Sequence, residues 1–104
     1  MITTTSETIP GKEITEIISI ARGSTVRSRD FIRDWTASLK NIVGGEIDEY
    51  TKLQADSREQ AIQRMIHDAQ IQGADAIINV RFSTSVIAHG TSEMLAYGTA
   101  VKIK

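Results

Sequence analysis

Four arginines, Arg22, Arg27, Arg29 and Arg33, crowd a stretch that also holds Gly23, Ser24, Thr25 and Ser28. If a helix opens at the end of that stretch, its free backbone N–H groups and its dipole favour an anion there. Arginine adds bidentate geometry for phosphate or carboxylate. The plainer reading is a solvated loop whose arginines pair with Asp30, Asp34 or a neighbour's acids. The histidines, His67 and His89, are the strong nitrogen ligands available to a metal. His67 precedes Asp68 on a helix-favouring stretch, and His89 falls in a loop between strands. A structural metal site normally takes four ligands from Cys, His or carboxylate, and soft metals prefer thiolate. With no cysteine, one chain can hardly build a soft-metal site, although a ring could repeat one histidine about its axis. A surface side chain is the ordinary reading for each.

No catalytic set can be assembled. Glu46, Asp48 and Glu49 cluster at the start of a helix, where acids are expected on dipole grounds alone. Ser24 and Ser85 lack both an elbow sequence and a neighbouring base. Gly44–Gly45 and Gly73-Ala-Asp75 follow helices and lack phosphate-loop spacing, so Gly44 and Gly73 read as C-caps. Asp75 reads as structural, accepting backbone N–H bonds in the turn or making a subunit contact. The expectation is a protein that is not an enzyme and carries no cofactor, with a metal ion as the alternative.

Composition narrows the class. The chain has 104 residues, 40% hydrophobic and 24% charged, which fits one folded domain over 1–104 and is too apolar for disorder. Aromatic residues are 5%, so the core must be aliphatic. Twelve basic and thirteen acidic residues leave a net charge of −1, which argues against nucleic acid and against a polybasic membrane anchor. The start has no basic n-region and no apolar run, and no stretch approaches the ~18 apolar residues of a membrane span. A soluble cytoplasmic domain is expected.

These residues must be positioned by elements the pattern predicts. Lys12 to Ala21 reads as a strand, with the Ile17–Ile18 doublet marking either a bulge or two covered faces. Gly23 to Ser28 reads as a loop. A helix then opens with Ser28 as N-cap, places Ile32, Trp35, Leu39 and Ile42 on one face and stops at Gly44–Gly45. A second helix runs from about Asp48 to Gln72, with Tyr50, Leu53, Ala61, Met65 and Ala69 on one stripe. Ser57-x-x-Gln60 matches a capping box that could break it, but the stripe keeps phase across Ser57. Ala76–Val86 is a strand with Ile78, Val80, Phe82 and Val86 facing one way. The gap from Ile87 to Met94 suits a hairpin loop before the strand Ser92–Ile103, whose Met94, Ala96, Gly98 and Ala100 form an unusually small second face. The fold class is a two-layer α+β domain: an antiparallel three-stranded sheet, with room for a short N-terminal strand, packed on two helices.

Three features favour self-association. Both faces of the last strand look covered, the long helix outreaches a small sheet, and the Thr-rich start has nothing local to pair with.

Four motifs also stand in a familiar order: Phe31-Ile-Arg-Asp34, Ile42-Val-Gly-Gly45, Gly73-Ala-Asp-Ala-Ile77 and Gly98-Thr-Ala-Val101. From about Thr5 to Ile103 the chain resembles the YbjQ-like family of small uncharacterised bacterial proteins, which carry the label "putative heavy-metal-binding". The resemblance implies a dodecin-like subunit that assembles with copies of itself into a ring of five. Glu46 stands where members commonly have arginine, and the basic Arg22–Arg29 stretch replaces a less charged loop. The reading is a non-catalytic homo-oligomeric scaffold or binding module, with a small-ligand or metal site between subunits as the alternative.

Overall fold

The computed structural model describes the backbone of residues 1–28 and 46–104 and the side chains of 1–26 and 55–104. Four strands and one helix are found among them: β1 (Ile2–Thr3), β2 (Ile14–Ser28), α1 (Glu46–Ile71), β3 (Ala76–Ala88) and β4 (Thr91–Ile103). They form an α+β unit with a mixed sheet in the order β1-β3-β4-β2. The pairs β2–β4 and β3–β4 are antiparallel, whereas β1 runs parallel to β3. The expected three antiparallel strands are found as β3-β4-β2, and the short N-terminal strand that was allowed for joins them parallel to β3 in its own chain, which corrects the antiparallel sheet to a mixed, four-stranded one. The helix expected between Ser28 and Gly44 lies outside the described residues.

Gly23, Ser24 and Thr25 are not loop but the middle of β2, paired with Ala96, Leu95 and Met94. Their small, turn-forming side chains mislead because the constraint on them comes from above. A Cβ on Gly23 would meet the Met65 backbone nitrogen and lie 2.5 Å from the Ala61 carbonyl oxygen. Glycine in a strand marks such a close backbone approach. Thr25, 1% exposed, donates its hydroxyl to the Ser57 carbonyl oxygen at 3.1 Å. Ser57 is buried against the sheet and α1 runs through it unbroken, so the capping-box sequence starts nothing. The helix ends on Gly73 at φ +82, with Gly73 N–H to Gln70 O and Ala74 N–H to Ala69 O, the two bonds of a Schellman stop.

The sheet carries a small core on each face. Toward α1, Ala21, Ile77, Val80, Ala96 and Ala100 pack against Ala61, Met65 and Ala69. On the opposite face, Ala76, Ile78 and Val101 are covered by Ile9, Ile14 and Ile103. Ile78 and Val80 therefore face opposite ways, contrary to simple alternation. The cause is a bulge between Ile78 and Arg81, where Asn79 takes a φ of 54. The N-terminal segment clamps it: Asn79 N–H donates to Ser6 O and Val80 N–H to Thr4 O, each at 3.0 Å. Bulges in β2 lie between Ile14 and Glu16 and between Ile17 and Ser19, as the isoleucine doublet foreshadows.

The eight-residue hairpin loop contracts to a tight turn at His89–Gly90, Gly90 having φ 74, because β3 and β4 extend to Ala88 and Thr91. At ~3.3 Å per residue β2 alone spans roughly 50 Å, longer than α1 at ~1.5 Å per residue. The small-residue face and the N-terminus, two of the three features read as signs of assembly, are satisfied within one chain.

Candidate functional site

The described residues bring polar groups together most densely along the outer edge of β2. Alternation turns the backbone N–H and C=O of Ile20, Arg22 and Ser24 away from β4, and α1 meets them with side chains. Gln72 Nε2 donates to Ile20 O at 3.1 Å, Asp68 Oδ2 accepts from Arg22 N–H at 3.0 Å, and Arg64 Nη1 donates to Ser24 O at 2.6 Å. Gln72 Nε2 also donates to Asp68 Oδ2 at 3.2 Å, which ties the ladder to itself. Arg64, Asp68 and Gln72 stand four residues apart, beside the stripe of Ala61, Met65 and Ala69. One flank of the helix packs the sheet while the next closes its edge.

A groove of about 590 Å³ opens there, lined by Arg22, Gly23, Ser24, Arg64, Glu93 and Leu95. A guanidinium carries five N–H donors, so the bond from Arg64 to Ser24 leaves donors for a ligand. Next to the groove, Arg22 of β2, Tyr97 of β4 and Arg81 of β3 form one cross-strand row on the face opposite α1. Arg81 is held by bonds from Nη1 to Thr5 O and Val80 O, both 2.9 Å. The groove offers two cations beside one carboxylate, which suits a small anionic group with a donor of its own.

Of the predicted anion site, the structure places Arg22 in this groove. Arg27 belongs to β2 opposite Ser92, but its side chain lies outside the described residues, as do Arg29 and Arg33. The loop expected from Gly23 to Ser28 is strand. Arg64 and Glu93 were not singled out by the sequence reading; the four-residue spacing of Arg64, Asp68 and Gln72 is the signal that could have drawn attention to that flank. Asp75 accepts from Ile103 N–H at 3.1 Å while its own N–H donates to Val101 O, a structural role as expected, but one that ties the turn to β4 rather than to itself.

The histidines are not brought together. His67 is exposed on α1, one residue from Asp68 and so level with Arg22. His89 is at the hairpin tip beyond the Ser28–Thr91 pair, roughly 20 Å further along the strands. Asp68, the carboxylate beside His67, already accepts two hydrogen bonds. Among the described residues no three of His, Cys, Asp and Glu come together as a metal-binding group. One chain's described donors therefore do not fit a heavy-metal centre. No helix among them is long and apolar enough to cross a membrane.

Residues 1–104 match the family model YbjQ_1, described as "Putative heavy-metal-binding". The chain is 52% identical to a UPF0145 protein of Methanosarcina acetivorans over 103 residues, covering 99% of this chain and 97% of that one. It is 51% identical to a UPF0145 protein of Archaeoglobus fulgidus (100% and 96% covered) and 53% to one of Vibrio parahaemolyticus (99% and 98%). Archaeal chains are thus among the relatives, which widens the bacterial family expected from the motifs. A crystal structure of a DUF74-family protein of unknown function from Pediococcus pentosaceus is similar at a TM-score of 0.63 and 19% identity. That likeness covers 100% of this chain and 98% of the other, and it speaks to the fold alone.

Proposed function

The chain belongs to the YbjQ-like family, and from that premise we propose that it is a non-catalytic protein that works as an assembly of its own copies. The observation that carries this is apolar surface on the sheet. Ile17 is 69% and Ile20 63% exposed on β2, and Val86 is 77% exposed on β3. Phe82, Ile87 and Val26 are exposed as well. Single exposed apolar residues need no account, but several on one sheet mark surface that association covers. The ring of five comes from the family resemblance, and a cytoplasmic site of action goes with it.

A second reading is favoured by the groove at Arg22 and Arg64: the assembly binds a small anionic ligand along the edge of β2. A metal would need donors from more than one copy, since the described donors of one chain do not converge.

Native mass spectrometry of the untagged protein, purified without chelators or added metal, tests both readings. A bare pentamer supports a scaffold. Extra mass that disappears in Arg22→Ala and Arg64→Ala supports the anion reading, and metal mass lost in His67→Ala or His89→Ala supports a site shared between copies. A monomer overturns self-association.

A further inference from the structure

The two edges of the sheet are unlike, and the difference points to how copies meet. Along Ile20–Ser24 the outer edge of β2 is closed by Arg64, Asp68 and Gln72. At the other edge, β1 and Thr4 to Ser6 cover β3 only from Ala76 to Val80. From Arg81 to Ala88 every residue of β3 is exposed. Since Val80 N–H points outward to Thr4 O, alternation turns the N–H and C=O of Phe82, Thr84 and Val86 outward too. They find no partner among the described residues. Natural edge strands are usually blunted by lysine, proline or a bulge. Phe82-Ser-Thr-Ser-Val-Ile-Ala88 has no charge and no proline, and its irregularity, between Val86 and Ala88, lies past Val86.

We infer that this edge pairs with the same edge of a second copy, antiparallel, about a two-fold axis at Thr84. The segment is self-complementary in that register. Phe82 falls opposite the second copy's Val86, Ser83 opposite its Ser85 and Thr84 opposite its Thr84. Aromatic against β-branched and hydroxyl against hydroxyl are favourable cross-strand pairs. Phe82, Thr84 and Val86 all turn their backbone groups outward, so each of these pairs exchanges both of its bonds, as a hydrogen-bonded antiparallel pair requires. Head-to-tail addition to β2 along Ile20–Ser24 is disfavoured, because the outward Ile20 C=O, Arg22 N–H and Ser24 C=O are already taken. The contact is isologous: one surface serves both copies. A strand pair of this length is small beside the ~1,600 Å² of a standard interface. A single pairing is therefore concentration-dependent, and several between two rings reinforce one another.

The inference rests on self-association but not on the ring, and one measurement separates the two. Native mass of the wild-type protein over a concentration series should show a dimer or a ten-subunit species. Ten supports ring and two-fold contact together, and a dimer supports the contact while removing the ring. A pentamer with no larger species keeps the ring and overturns the contact, and a monomer throughout overturns both. The register is tested by charge. Phe82→Lys with Val86→Lys sets like charges opposite each other and should abolish the even-numbered species. Phe82→Lys with Val86→Glu sets opposite charges in the same pairs and should retain it, increasingly so at low salt. Equal behaviour of the two double variants overturns the register. Thr84→Pro, whose lost N–H points away from β4, should also abolish the species while keeping the far-ultraviolet circular dichroism of the wild type; an even-numbered species that survives it overturns the pairing.

Discussion

Gly23 lies directly beneath Met65, so close that a Cβ on the glycine would meet the Met65 backbone nitrogen and come within 2.6 Å of the Arg64 carbonyl carbon. The obstacle is helix backbone on every side, which cannot rotate away as a side chain would. This contact sets how near α1 sits to the sheet, and hence which of its side chains reach the edge of β2.

Gly23→Ala should therefore cost at least ~3 kcal/mol, the upper part of the overpacking range. In a domain of this size that lowers Tm by roughly 10 °C or more. Gly98→Val should cost less, ~1–3 kcal/mol, since its Cβ would lie 2.7 Å from the Ile77 Cγ2 methyl and 2.8 Å from the Ile78 carbonyl oxygen. Both contacts at Gly98 are within the chain, so its variant should melt earlier at an unchanged native mass. Differential scanning calorimetry beside native mass spectrometry checks the ranking, and a Gly23 variant as stable as wild type contradicts the close approach.

Asp68→Ala should cost ~0.5–1.5 kcal/mol, the ordinary worth of a hydrogen bond that water can partly replace. Its second effect is the more telling. With the Arg22 N–H released, β2 gains a bare edge, and the variant should scatter more light on warming than wild type. Asp68→Asn keeps an acceptor oxygen at the same place and should do neither, which separates edge closure from loss of charge.

Asn79→Gly should leave Tm nearly unchanged, because glycine adopts a φ of 54 without steric cost. Asn79→Val should cost ~1–2 kcal/mol, the penalty of the left-handed region for a residue with a crowded Cβ. Chemical denaturation of the pair measures the difference. If valine is tolerated as well as glycine, the bulge at Asn79 is not what turns Val80 toward α1.

Much of the fold is legible in the sequence, because much of it is local. The stripe of Ala61, Met65 and Ala69, the stop at Gly73 and the small face of Ala96, Gly98 and Ala100 follow from periodicities of 3.6 and 2 and from what glycine and alanine allow. The family follows from motifs spread along the whole chain. The site is less legible. Arg22 is recognisable as an arginine near glycine and serine, but its companion Arg64 lies far away in sequence and joins it only because α1 crosses β2.

Residue type and spacing alone determined an aliphatic α+β fold with a long unbroken helix and no cysteine chemistry. Tertiary structure decided the rest, since it depends on which backbone passes over which. Gly23 and Ser24 belong to a strand because a helix lies on the glycine, and the threonine-rich start pairs with β3 because the bulge at Asn79 turns N–H groups toward it. Among the described residues one edge of the sheet is closed by α1 and the other is covered only as far as Val80, for the same reason: hydrogen bonds between distant segments are settled by packing geometry, which no local pattern encodes.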